Sequence, residues 1–330
     1  MSTLTRLRAM FALLAVLVLA FGAAACGDDD DEAGDSGTDT ESSSSLIESN
    51  PDNEGIAVTV GSKNFTEQII LGEIYAQALE AVGYDVSTQL NLGSEQVALK
   101  ALEDGEISAY PEYTSTALTA FFDLAPEDVP GDPQQAFEES QDDFAELGLT
   151  AYPPTPFSSA NAVGLLSSTA DELGLSSISD LEEQQAELTL AGSPECRQRI
   201  DCLAGLEEYY GLDGLRENFT PVDIGLRYEV LDKGDADLSI LFTTDAQLST
   251  SEDYTLLEDD MGVLPAGNIL FVATEEIAFG AGPDFGETVE KVQEGLSLEV
   301  MQELNSRVDV DREEPADVAA AYLQESGYTE

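Results

Sequence analysis

The chain predicts an α/β protein of two lobes joined by two crossings, and three observations predict it. Short β-prone runs alternate with helical patterns along the folded part, as expected where helices cover a sheet. Two extended, proline-bearing stretches interrupt that alternation: Ala151-Tyr-Pro-Pro-Thr-Pro156, and a segment from about Leu257 to Ala273 that contains Pro265 and Gly267. The folded part, which starts near Ile56, has about 275 residues, enough for two cores. Two α/β lobes and two crossings describe a hinged, clam-like protein.

Ile56-Ala-Val-Thr-Val60 is the first strand, and Gly61-Ser-Lys-Asn-Phe-Thr-Glu-Gln68 leads from it into a helix over 65–82. Ile70, Ile74, Ala78 and Val82 fall on one face of that helix, and Gly83 closes it. Asn64 is placed to cap it while Glu67 reaches back, a variant of the capping box. The loop thus lies at the carboxyl end of a strand and at a helix N-terminus, where ligands and anions bind. It carries Lys63, one of only four lysines in the chain.

A strand follows near Val86–Leu90, then the Gly93-Ser94 turn, a helix through Leu102, and a strand over Ile107–Tyr110 that runs into Pro111-Glu-Tyr-Thr-Ser-Thr-Ala-Leu118. Residues 124–134 read as loop and 135–147 as an acidic, exposed helix. Further strands are predicted at Ala162–Leu166, Leu188–Ala191 and Leu238–Phe242, with helices near 179–186, 203–210 and 224–233. Residues 284–324 are helical and pack back on the first lobe.

The start of the chain has another character. Arg6 and Arg8 precede the apolar run Ala9–Phe21, and Ala23-Ala-Ala-Cys26 follows, the three parts of a secretory signal. The apolar run is too short to span a membrane. The cysteine resembles that of a lipobox, which makes 1–25 a lipoprotein signal peptide and Cys26 the lipidated residue; Ala23 departs from the usual leucine. An ordinary cleaved secretory signal is the alternative. Residues 26–55 read as an acidic, solvated tether, which places the protein outside the cytoplasm, lipid-anchored to the outer face of the cell membrane.

Formal net charge is −55, and the stretch 27–55 holds only eleven of the 67 acids. So anionic a surface excludes nucleic acid as a partner and fits work in strong salt, where self-repulsion is screened. Cys196 and Cys202 flank Arg-Gln-Arg-Ile-Asp. A disulfide between them suits an exported chain, whereas a metal pair lacks further ligands because histidine is absent. The bridge would stiffen the loop that carries Arg197 and Arg199. Absence of histidine also excludes the Ser-His-Asp and Cys-His catalytic arrangements. The chain is read as a binding protein and not an enzyme, with neither cofactor nor metal.

Gly-Ser-Lys-Asn-Phe-Thr-Glu-Gln at 61–68, Asn-Leu-Gly at 91–93, Tyr-Pro-Glu-Tyr-Thr-Ser-Thr-Ala-Leu at 110–118 and Phe-Thr-Thr-Asp at 242–245 together resemble one family. It is that of the substrate-binding proteins of osmoprotectant ABC importers, which take up glycine betaine, carnitine, choline and related compounds. The likeness runs from about residue 56 to the C-terminus. It implies the periplasmic-binding-protein (Venus flytrap) fold, with 56–155 and 265–330 as lobe 1 and 156–264 as lobe 2. It also implies a monomer whose partners are a small zwitterionic solute, an ABC permease and its ATPase.

In that family the ligand's carboxylate meets a lysine, an arginine and a threonine, while its trimethylammonium sits among aromatic rings. Lys63, Arg199 and Thr116 match the first trio; the alternative for Lys63 and Arg199 is solvated surface charge. Tyr113 matches the first aromatic, and Phe242 stands where the family usually has tyrosine. Asn161 and Ala266 or Gly267 stand where two further tyrosines are expected. Losing two walls, at ~0.5–2 kcal/mol each, would weaken a quaternary ammonium by ~10- to 1,000-fold. Tyr152, Tyr209 and Tyr210 are unplaced candidates to replace them. Asn161 and Asn268 would instead suit an amino-acid-like or cyclic solute. A sensor that binds a solute without transport would share the same fold and site.

Overall fold

The structure, a computed structural model, describes residues 46–330. The signal segment 1–25, Cys26 and the tether up to 45 lie outside the described residues. The tether, expected to run to 55, is already folded against the body at 46–55. Ile47 N–H donates to the Tyr328 carbonyl at 2.8 Å, and Asn50 and Asn53 both donate to Asp284. Ile47 and Ile56 also pack on the main core, which gives this end of the tether apolar area to bury.

Strands β1 (Ala57–Gly61), β2 (Asp85–Gln89), β3 (Ala109–Tyr113), β4 (Leu149–Ala151) and β5 (Ser158–Ser159) belong to one sheet. Strands β6 (Asn161–Leu166), β7 (Leu190–Gly192), β8 (Phe219–Pro221), β9 (Leu238–Phe242) and β10 (Tyr254–Leu256) form a second, in the order β10-β6-β9-β7-β8. The chain then returns through β11 (Gly267–Thr274), so that the first sheet reads β2-β1-β3-β11-β4 with β5 also on β11. β1 runs parallel to β2 and β3, while β11 is antiparallel to β3 and β4. In the second sheet β7 is parallel to β8 and β9, and β6 is antiparallel to β9 and β10. Each sheet has its own buried core, and two lobes result.

The return segment is therefore less of a crossing than its proline suggests. Ile269-Leu-Phe-Val-Ala273 is fully buried in the middle of the first sheet. A short apolar run covered on both faces has no alternation to announce it as a strand.

The first helix, Thr66–Val82, buries Ile70, Ile74, Ala78 and Val82 as expected, and also Leu71, Tyr75 and Leu79. It is buried on more than one side because the C-terminal helices Pro283–Gln293, Leu298–Asp309 and Pro315–Glu325 pack over it. Gly83 ends it at φ 114°, a left-handed conformation that glycine adopts without strain. The capping box does not form. Phe65 holds the cap position in an extended conformation with no side-chain cap bond, and Glu67 turns inward to Tyr113 and Asn305. The helix expected near 179–186 shrinks to a 3₁₀ turn, Ile178–Leu181, held by a Ser177/Asp180 capping box.

Candidate functional site

The carboxyl ends of β1 and β3 face the second lobe across a cleft of about 850 Å3, counting the part open to solvent. Lys63, Tyr113, Thr116, Asn161, Arg199 and Phe242 all line it. Strand ends and loops of both sheets thus converge on one space, which lies where an open α/β sheet offers its strand ends to ligands.

Lys63 is only 4% exposed and is ion-paired with fully buried Glu112. Glu112 also accepts the Tyr113 backbone N–H at 2.8 Å and the Tyr110 hydroxyl at 3.0 Å, so the pair is anchored to β3. Burial pulls the Lys63 ammonium below the ordinary lysine value, and Glu112 opposes that pull. Its Nζ stands 4.5 Å from the centre of the Tyr113 ring and 5.9 Å from that of Phe65. Lys63, expected to meet a ligand's carboxylate or else to be a solvated surface charge, thus already holds the carboxylate of Glu112 and lies against two rings.

Arg199 is likewise engaged. Its Nε donates to Asp201 Oδ1 at 2.7 Å, and its Nη2 bonds Asp201 Oδ2. Nη1 reaches Glu95 Oε2 and Nη2 reaches Thr116 Oγ1, both at 3.4 Å and both on the opposite lobe. Burial works against the guanidinium's charge, but Asp201 and Glu95 outweigh it and raise its pKa. The arginine sits inside a loop closed by the Cys196–Cys202 disulfide, whose cysteines are both 2% exposed and line the cleft. Asn161 donates from Nδ2 to the Asp201 carbonyl at 2.9 Å, so it holds the same loop.

At the other end Phe242 carries a neighbour of its own. The Arg227 guanidinium lies 3.9 Å from the ring centre and donates to Asp245 at 2.9 Å. Phe65 completes the group: its ring centre is 5.1 Å from that of Phe242 and 6.3 Å from that of Tyr113. It spans the two lobes, since Tyr113 ends β3 and Phe242 ends β9.

Phe65, Glu95 and Arg227 were not foreseen in the cleft. Phe65 stood in the leading motif two residues after Lys63, but the helical pattern absorbed it as the first apolar position. Its extended backbone, φ −144° and ψ 160°, turns it out of that pattern. The substitutes expected for the missing walls are elsewhere. Tyr152 packs on Phe285 and Tyr210 donates to Asp259; neither they nor Tyr209 lines the cleft. Asn268 is buried with its amide donating to the carbonyls of Thr155 and Phe157, so it ties the crossing and does not face a solute. At Gly267 an added Cβ would stand 2.3 Å from Ser115 Oγ, which leaves no room for any side chain there.

Among the described residues no group of three or more His, Cys, Asp or Glu could hold a metal ion, and no helix is long and apolar enough to cross a membrane.

Residues 56–325 match the family model described as the substrate-binding domain of ABC-type glycine betaine transport systems. A glycine-betaine-binding protein of Pseudomonas aeruginosa is 34% identical over 277 residues, 81% of this chain and 86% of that protein. A carnitine transport binding protein of Listeria monocytogenes is 27% identical, covering 83% of this chain and 88% of its own. Among solved structures, a glycine betaine/carnitine/choline ABC transporter protein superposes with a TM-score of 0.64 at 26% identity. That match covers 82% of this chain and 99% of the other.

Proposed function

The chain belongs to the substrate-binding domains of ABC-type glycine betaine transport systems, and on that premise we propose that it captures a small zwitterionic osmoprotectant in the cleft and delivers it to an ABC permease. Proteins of this kind work outside the cytoplasm as binding proteins and not as enzymes. Glycine betaine, named for the relative in Pseudomonas aeruginosa, is the ligand we assign. A monomer held to the membrane through a lipid on Cys26 fits the family's task of feeding a permease driven by its ATPase.

The observation that carries the reading is the convergence of Lys63, Tyr113, Thr116, Asn161, Arg199 and Phe242 on one interlobe cleft. The first three belong to the lobe of the first sheet, which also takes up β5 (Ser158–Ser159), and the others to the lobe of the second. A ligand that touches both sets completes its contacts only when the lobes close, so binding shifts the population toward the closed form that a permease can recognise. The quaternary ammonium belongs against Phe65, Tyr113 and Phe242. With Phe65 in place, three rings stand where two were expected, and the cage does not require a different class of solute. The carboxylate belongs near Thr116 and Arg199.

Isothermal calorimetry of the full-length protein with glycine betaine in strong salt tests this; tryptophan is absent, which weakens fluorescence as a readout. Saturable binding with a Kd at about micromolar level, ~8 kcal/mol, is expected. No heat up to millimolar solute would overturn the assignment.

A further inference from the structure

The cleft holds more charge than recognition of a zwitterion needs, and the excess is negative. Lys63, Arg199 and Arg227 line it, but so do Glu95, Glu195 and Asp201. Glu112 and Asp245 stand behind them, bonded to Lys63 and Arg227. Three of these acids pair with a cation of their own lobe: Glu112 with Lys63, Asp201 with Arg199, and Asp245 with Arg227. Glu95 differs. It comes from the first turn of the helix Glu95–Glu103 on one lobe and reaches Arg199 on the other.

Arg199 commits Nε and Nη2 to Asp201, which leaves the Nη1 edge for anything else that is anionic. Glu95 Oε2 already stands at that edge, 3.4 Å away, and Glu95 is 6% exposed. Its charge also acts on Lys63. Glu95 thus stands at the free edge of Arg199, where the proposed function places the ligand's carboxylate. Two carboxylates brought into contact in a desolvated cleft repel strongly. A quaternary ammonium without a carboxylate meets no such conflict, and for it Glu95 is a counterion.

Resting on the proposed function, we infer that Glu95 is a specificity-determining residue of this cleft: its carboxylate competes with the ligand's for Arg199 and tilts selection toward quaternary amines that carry no carboxylate. The effect is one of charge. Glutamine at 95 keeps the length and the oxygen that faces Nη1, but removes the repulsion.

Calorimetric titration of the full-length wild type, Glu95→Gln and Glu95→Asp tests this with two probes, glycine betaine and choline, which share the trimethylammonium head. Glu95→Gln is expected to tighten glycine betaine about tenfold and to weaken choline several-fold. Glu95→Asp, which keeps the charge, is expected to leave the ratio of the two affinities within about threefold of wild type. Damage to folding lowers both affinities together, so movement in opposite directions is the signature. If Glu95→Gln still binds but its ratio stays within about threefold of wild type, the role of Glu95 falls while the proposed function stands. If the wild type gives no saturable heat with glycine betaine, the proposed function falls and takes this inference with it.

Discussion

Around Arg199 the cleft is closed by charges gripping one another across the lobes, whereas around Phe65 it is closed by rings that touch with no polar bond between them. At the first end Asp201, Glu95 and Thr116 surround one guanidinium. At the second, Phe65 packs between Tyr113 and Phe242, with Lys63 and Arg227 lying against the rings. The two ends should respond differently to damage. A buried ion pair that loses one partner strands the other, at a cost of ~3–5 kcal/mol. A ring contact fades by ~0.5–2 kcal/mol, because each face contributes only a shallow attraction to a cation placed over it. The charged end should therefore decide whether a carboxylated solute binds at all, and the aromatic end how tightly its ammonium is held.

The sharpest way to break that contrast is Arg199→Ala. It removes the fork that a carboxylate would use and leaves Asp201 and Glu95 facing each other without a cation. Glycine betaine affinity, read by calorimetry, should fall by ~100-fold or more. A loss of threefold or less would mean that the ligand's carboxylate is held elsewhere and that the two ends do not divide the work as described.

A smaller effect is expected from Phe65→Leu, which keeps an apolar side chain but removes the π-face. Affinity for both glycine betaine and choline should fall together by ~3- to 30-fold. This parallel loss is the counterpart of the opposed shifts expected at Glu95, so the two variants together separate a wall from a selector. If Phe65→Leu binds both solutes as tightly as the wild type, Phe65 is packing between the lobes and not a wall of the cage.

How much of this was legible in the sequence depends on whether the cause was local. The amphipathic helix after Lys63 and the alternation of strands were readable because spacing along the chain creates them. Six cleft-lining residues were readable because motifs fix them in the strand ends and loops that border the cleft. What could not be read was pairing across the fold. Nothing near Lys63 in the chain says that Glu112, 49 residues on, neutralises it. Nothing near Arg199 announces Glu95, 104 residues away on the other lobe. In a chain with 67 acids an individual carboxylate carries little signal. Phe65 was missed for the opposite reason: its local pattern was too plausible, and only the backbone at the helix start turns it toward the cleft. β11 looks like a crossing in the sequence because a strand buried on both faces loses its alternation.

The contrast between the two ends has one joint. The Tyr113 hydroxyl donates to Glu67 Oε1 at 2.7 Å, and Asn305 Nδ2 donates both to Glu67 Oε2 at 3.1 Å and to the Thr244 carbonyl of the other lobe at 3.0 Å. The aromatic end is thereby linked to an interlobe contact through a carboxyl that is 3% exposed. Burial raises the Glu67 pKa above the ordinary carboxylate value. Hydrogen bonds from Thr244, Tyr113 and Asn305 oppose the rise, and nearby Asp245 adds a smaller push upward. A carboxyl with a raised folded-state pKa favours folding when protonated, so its contribution is present at acid pH and is lost as pH climbs through the folded-state value. Glu67→Gln mimics the neutral acid at every pH. Its melting temperature should exceed that of the wild type by about 1–3 °C at neutral pH, and the gap should close as pH falls through the folded-state value. Taking the difference between the two proteins cancels the titration of the many surface acids they share. A gap that stays constant with pH, or a variant less stable than wild type at neutral pH, would show that Glu67 is held as a carboxylate by its donors and that the joint is electrostatic like the Arg199 end.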